Sequence, residues 1–218
     1  MANGPLEHVS KAPEKPTDEP APAVVLIHGR GTNEQDLLPI ADQLSDKLHV
    51  LSIRAPDPLQ GGYTWYELDL SHGGLHASQP HESEFRRSLD LLHEFVEWAT
   101  EEYAIDSERI GLLGFSQGSI MSLAALCERP ESYDWIVALN GYLAESHEEQ
   151  AGEAAGKPIF IGAGEADGII PAERAQRAAE LLEEAGADVS FDIYPVGHGT
   201  HPEEISAVSE WIAARLSE

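Results

Sequence analysis

Six short apolar runs recur along the chain, at Ala23–His28, His49–Ile53, Ile110–Phe115, Trp135–Leu139, Pro158–Gly162 and Val189–Tyr194. Such runs, with little polar alternation, have the pattern of strands covered on both faces, as in largely parallel sheets. The segments Asn33–Leu48, Ser83–Tyr103, Gln117–Cys127, Ala172–Ala185 and Pro202–Leu216 carry helical spacing, clearest where Phe85, Leu89, Leu92, Val96 and Ala99 fall on one face. Right-handed crossovers turn this alternation into a mostly parallel central sheet with helices on both faces, so the expected fold class is α/β. The 218 residues suit one domain. Residues 1–22, rich in Pro, Lys, Glu and Asp from about Ser10, read as a flexible or loop-like lead-in, and 23–218 as the single domain.

The stretch from Pro56 to His81, with Gly61-Gly62, Gly73-Gly74 and several prolines, reads as a long excursion over the carboxyl edge of the sheet. Loops at that edge commonly carry function. Gly114-Phe115-Ser116-Gln117-Gly118 stands directly after one apolar run and directly before a helical segment. A serine on so sharp a strand-to-helix turn is lifted clear of the backbone, and the flanking glycines avoid collision with the neighbouring strand and helix. The start of that helix adds free N–H groups and the positive end of its dipole beside any developing oxyanion.

A serine hydroxyl needs a base, and the base needs an orienting acid. The chain supplies both at the ends of later strands, in the order nucleophile, acid, histidine. Asp167 lies in Gly164-Glu165-Ala166-Asp167-Gly168-Ile169-Ile170-Pro171 and His198 in Gly197-His198-Gly199. Ser116 is thus the candidate nucleophile, His198 the base and Asp167 the acid. Glu165 and Asp192 are rival acids, one earlier in the loop and one inside a strand pattern; His201 is a rival base but precedes Pro202-Glu203-Glu204, a helix start. The expected oxyanion donors are the backbone N–H groups of Gln117 and of Arg30, in the turn His28-Gly29-Arg30-Gly31. The Arg30 side chain is expected to pair with Glu34 or Asp36.

These strings, with Leu26-Ile27 before His28, resemble the carboxylesterase/phospholipase and acyl-protein thioesterase branch of the α/β-hydrolases, related to the dienelactone hydrolases. The resemblance implies an α/β-hydrolase fold with little or no cap, and supports Arg30 and Gln117 as donors. It also implies a pocket near Trp65, in Thr64-Trp65-Tyr66-Glu67, and near Tyr142, in Asn140-Gly141-Tyr142-Leu143, with Ile170 of the acid loop beside them; packing aromatics are the other reading of Trp65 and Tyr142. Two positions depart from the family: Gly168 follows Asp167 where many relatives have proline, and Asn140 stands where many have serine. Neither is expected to touch the three central residues. Dienelactone hydrolases carry a cysteine at the elbow, so Ser116 implies ordinary ester chemistry.

Charge sets the remaining bounds. Asp and Glu number 39 against 13 Lys and Arg, a formal net charge of −26 that disfavours nucleic acid and anionic membranes as partners. The carboxylates are scattered through the folded segments, a composition resembling that of salt-in halophile proteins. Because the Debye length falls from about 10 Å at 0.1 M to about 3 Å at 1 M, concentrated salt is expected to relieve their repulsion. Cys127 is the lone cysteine and reads as an apolar filler, with no disulfide; no apolar run is long enough to span a membrane, and the N-terminus lacks a signal-peptide pattern, so the expected compartment is the cytoplasm. His72, His76 and His81 form a loose cluster without the fixed ligand set of a zinc site. The resulting expectation is a serine hydrolase acting on small-molecule esters or thioesters without a cofactor, with a homodimer left open. A ligand-binding protein on a hydrolase fold is the alternative.

Overall fold

The computed structural model describes residues 4–14, 20–71 and 73–216, and a seven-stranded sheet runs through it. In chain order the strands are β1 (His8–Lys11), β2 (Ala21–Ile27), β3 (His49–Ile53), β4 (Ile105–Phe115), β5 (Trp135–Leu139), β6 (Pro158–Gly164) and β7 (Asp188–Tyr194). Their spatial order is β1-β3-β2-β4-β5-β6-β7, with β1 antiparallel to β3 and every other pairing parallel. The helices are α1 (Leu38–Ala41), α2 (Glu82–Glu102), α3 (Gln117–Glu128), α4 (Ala172–Glu184) and α5 (Pro202–Arg215).

Successive strand residues point to opposite faces, so the continuous apolar runs feed two cores. Val25, Ile27, Leu51, Ile53, Leu112, Ile136 and Ile161 pack with α2, α3 and α4. Val24, Leu26, Val50, Leu113, Val137, Leu139 and Phe160 pack with Ile40 of α1 and with Ile205, Val208 and Ile212 of α5. The α2 face read from sequence, Phe85, Leu89, Leu92, Val96 and Ala99, is buried. Each such Leu, Ile, Val or Phe contributes about 1.5–3 kcal/mol relative to exposure, which fixes the sheet as the rigid platform for its carboxyl-edge loops.

Three local expectations change. The lead-in contributes β1, whose residues pair from His8↔Ile53 to Lys11↔Val50, while its residues 15–19 lie outside the described ones. β1 is held by side chains as well as its ladder: Ser10 Oγ and His49 Nε2 are 2.7 Å apart, and the His8 ring packs edge-on to Phe95 and Trp98. β2 starts at Ala21, and Pro22, which cannot donate to a ladder, sits where the β2–β4 register shifts between Ala21 and Ala23. The helix expected over Asn33–Leu48 shrinks to Leu38–Ala41. Asn33 Oδ1 and Ser45 Oγ accept from the backbone N–H groups of Gln35 and Lys47, local bonds that compete with helix, and Pro39 cannot occupy a helix interior.

The Pro56–His81 excursion forms two short antiparallel ribbons, Asp57–Leu59 with Gly62–Thr64 and Leu68–Asp69 with Gln79–Pro80, joined to the 3₁₀ turn Leu75–Ala77. It lies beside the start of α3, where β4 delivers Ser116.

Candidate active site

Ser116 sits between β4 and α3 with φ 55° and ψ −116°, outside the ordinary regions for a residue with a side chain. Strain of this kind costs about 1–3 kcal/mol and persists only where the surroundings enforce it. Here they do: Ser116 N–H donates to Leu139 O at 2.9 Å, and Ser116 O accepts from the N–H groups of Ser119 and Ile120. A Cβ on Gly114 would run into the Gly118 carbonyl, and one on Gly118 into the Ile27 carbonyl. The two glycines therefore let strand and helix close tightly enough to force the serine outward.

Ser116 Oγ lies 3.0 Å from His198 Nε2, and His198 Nδ1 lies 2.7 Å from Asp167 Oδ2. Residues from the ends of β4, β6 and β7 thus meet in one hydrogen-bonded chain. The Asp167 carboxyl is fully covered and the His198 side chain is 22% exposed. Burial alone would raise the Asp167 pKa, but hydrogen bonds from His198, from the Asn140 amide and from the Ile170 and Ile169 N–H groups outweigh it and hold the carboxyl below its usual range. An ionised carboxylate only accepts, so Nδ1 carries the ring proton and Nε2 is free to accept from Ser116.

The rivals are elsewhere. Glu165 and Asp192 are exposed, and His201 caps α5, its Nδ1 accepting from Glu203 N–H at 3.3 Å. Asn140, expected to stand clear of the three, donates through Nδ2 to Asp167 Oδ2 at 3.0 Å. It reaches the carboxylate because it follows β5 in a left-handed conformation, φ 52°, that asparagine tolerates.

The turn after β2 is pinned by His28, which burial holds below its usual pKa. A neutral ring fits its contacts: Nε2 accepts from Ala55 N–H at 3.0 Å and Nδ1 faces Gly29 O at 2.7 Å. The Arg30 side chain pairs with Glu67 at 3.2 Å rather than with Glu34 or Asp36, because Arg54 at the end of β3 already holds Glu34 through two contacts of 2.6 and 2.7 Å. Gln117, the first residue of α3, has no acceptor for its backbone N–H inside the helix.

Ser116 and His198 open onto a cavity of about 270 Å³ whose other walls include Tyr66, Leu68, Ile120, Tyr142 and Ile170. Tyr142 and Ile170 are where the sequence places them. Trp65 is not: its ring is fully buried under the turn after β2, its Nε1 donating to His28 O at 2.9 Å, and the next residue, Tyr66, lines the cavity instead. The Gln117 side chain sets that register, since its Oε1 accepts from Thr64 Oγ1 and Trp65 N–H while its Nε2 donates to Tyr66 O at 2.8 Å.

The family model described as Phospholipase/Carboxylesterase matches residues 10–216. The chain belongs to that family. This phospholipase/carboxylesterase family member is 25% identical to the putative hydrolase MhqD of Bacillus subtilis, over 86% of this chain and 90% of that one. It is 26% identical to acyl-protein thioesterase 1 of Candida albicans, over 87% and 90%. Among solved structures, a Bacillus cereus carboxylesterase superposes with a TM-score of 0.83 at 27% identity, covering 96% of this chain and 94% of that one. The family member has the α/β-hydrolase fold of these neighbours and is a hydrolase.

Outside the site, Cys127 is buried, and burial pushes its thiol up to about 12, in line with a filler role. His81 precedes α2 and its Nδ1 lies 3.3 Å from Ser83 Oγ; His72 lies outside the described residues. Among the described residues no three His, Cys, Asp or Glu side chains gather as metal ligands, and no helix is long and apolar enough to cross a membrane.

Proposed function

We propose that this hydrolase cleaves carboxylic esters or thioesters of small to medium acyl groups through an acyl-enzyme on Ser116. The observation that carries the reading is the Ser116–His198–Asp167 chain, 3.0 and 2.7 Å, opening on an apolar-walled cavity of about 270 Å³. The named carboxylesterase and thioesterase relatives support the same class of bond.

His198 Nε2 takes the Ser116 hydroxyl proton as Oγ attacks the carbonyl carbon, and Asp167 stabilises the imidazolium that results. The N–H groups of Arg30 and Gln117 donate to the oxyanion; losing one such donor costs about 2.7–4 kcal/mol of transition-state stabilisation. The imidazolium returns its proton to the departing alcohol or thiol, leaving the acyl group on Oγ. Water, deprotonated by the same nitrogen, then attacks the acyl carbon and frees the acid and the serine. Asp167 acts by orientation and charge, and its covered carboxylate suits that role.

A fluorophosphonate probe should label Ser116, and p-nitrophenyl acetate or butyrate should be turned over. Ser116→Ala should abolish labelling and reduce kcat by at least about 10⁴-fold, by analogy with removal of such nucleophiles. Failure of the folded wild-type protein to be labelled would favour a ligand-binding role. Turnover that survives Ser116→Ala would misplace the nucleophile.

A further inference from the structure

The Tyr66 side chain is fully buried, and among the described residues its hydroxyl has no hydrogen-bond partner. Its surroundings are otherwise answered. Tyr142 OH donates to Ser78 O at 2.7 Å, Arg174 Nη1 donates to the same carbonyl at 2.9 Å, and Ser78 Oγ donates to Leu75 O at 2.8 Å. Both lone pairs of the Ser78 carbonyl are therefore engaged. The ring stands edge-on to Phe85 with centroids 5.0 Å apart, and its backbone carbonyl accepts from Gln117 Nε2. Burial, then the nearby Tyr142 phenol, pushes the Tyr66 phenol well above its usual range, so it keeps its proton and remains a donor. A buried donor left idle is rare enough to need a reason, and Tyr66 shares the cavity wall with Ser116 and His198.

We propose that Tyr66 is a specificity-determining residue whose hydroxyl donates to an oxygen acceptor on the group that fills the cavity. Preferred substrates then carry an ether, keto or hydroxyl oxygen in that group, where a plain alkyl chain would leave the donor unpaired. The inference rests on the hydrolytic reading of Ser116 and narrows its substrate class. A site built around a hydrogen bond discriminates against an isostere lacking the partner more strongly than an apolar pocket discriminates by size.

The test compares esters that differ by one replacement of CH2 by O. In the acyl series these are p-nitrophenyl pentanoate and p-nitrophenyl 3-methoxypropanoate; in the alcohol series, pentyl acetate and 2-ethoxyethyl acetate. For each pair the ratio of kcat/KM is measured in wild type and Tyr66→Phe, so that intrinsic reactivity cancels. The ratio should fall about five- to tenfold in the variant for the series whose variable half occupies the cavity. The Tm of Tyr66→Phe should equal or exceed that of wild type, because only an unpaired hydroxyl is lost. Ratios unchanged within about twofold in both series, or a Tm lower by several degrees, overturn the inference alone. Absence of any turnover or labelling in the wild type overturns the hydrolytic reading, and this inference with it.

Discussion

The amide of Asn140 and the ring of His198 converge on one atom, Asp167 Oδ2, at 3.0 and 2.7 Å. The other oxygen, Oδ1, accepts from the N–H groups of Ile169 and Ile170 at 2.8 and 2.9 Å. Four donors thus hold a buried carboxylate ionised and fixed in direction, which keeps the His198 proton on Nδ1 and presents Nε2 to Ser116. Asn140 acts through Asp167, so it is a positioning residue.

Asn140→Asp should expose that role. Aspartate tolerates the left-handed backbone as asparagine does, but replaces a donor by a second carboxylate about 3 Å from Asp167. Asp167 is held below its usual pKa by donors, so losing one raises it, and activity should then fail at a higher pH as the solution is acidified. The acid limb of kcat/KM should move upward, and a shift worth one pKa unit would cost about tenfold in activity at pH values on that limb while leaving the neutral plateau little changed. A pH–rate profile superimposable on that of wild type would rule the role out.

The sheet was legible because strands covered on both faces need long apolar runs, and the positions of Ser116, Asp167 and His198 followed from glycine spacing and from chain order at strand ends. What escaped was set by side chains distant in sequence. Trp65 and Tyr66 are adjacent aromatics, and partners far along or back in the chain, three hydrogen bonds with the Gln117 side chain and one from Trp65 Nε1 to His28 O, decide that Tyr66 meets the cavity. Asn140 reads as peripheral in sequence because a left-handed turn is invisible in composition. Arg30 has carboxylates close to it in sequence, Glu34 and Asp36, but Glu34 is held by Arg54, which follows the neighbouring strand. β1 was hidden because an edge strand of four residues carries too little periodicity to read.

The Gln117 side chain offers a test separate from its backbone donor. Gln117→Ala retains the N–H at the oxyanion position but removes contacts to Thr64, Trp65 and Tyr66, leaving the buried Trp65 N–H without its acceptor. The loss should be about 2–4 kcal/mol, a fall in Tm of about 5–10 °C for a chain of this size. Fluorophosphonate labelling of the folded variant should persist, while kcat/KM falls through a loosened cavity wall. An unchanged melt would mean the 64–66 segment is held by other contacts.

Glu204 should make stability depend on pH. The residue is fully buried; its Oε2 accepts from His201 N–H at 3.1 Å, and its Oε1 has no partner among the described residues. Burial pushes its pKa up from 4.5 to about 7. Between those values the folded state binds the proton and the unfolded state does not, so stability falls as pH rises through this window and stays lower above it. Glu204→Gln keeps the cap acceptor without the charge. At pH 8 it should be more stable than wild type by at most about 3 kcal/mol, the gain vanishing near pH 4. Parallel Tm–pH curves for the two proteins would show that the carboxyl does not titrate in this window.

Salt should act on the whole surface. Ion pairs such as Lys11–Asp42, Arg129–Glu97 and Arg177–Glu148 engage the scarce cations, and exposed pairs of this kind are worth only about 0–1 kcal/mol each. With 39 acidic and 13 basic residues, most carboxylates can have no cationic side chain of their own, so the net field is repulsive whatever the pairing. Raising the salt from dilute buffer to roughly 2–3 M KCl shortens the screening length well below the typical spacing of surface charges. The repulsion then fades much more than the buried contacts weaken, and apolar burial is not reduced by the salt. Tm should therefore rise with KCl over this range, and activity toward a neutral ester should survive longer at fixed temperature. A midpoint equal or higher in dilute buffer would show that the carboxylate surface is tolerated without screening, and that the acidic composition has a cause other than salt.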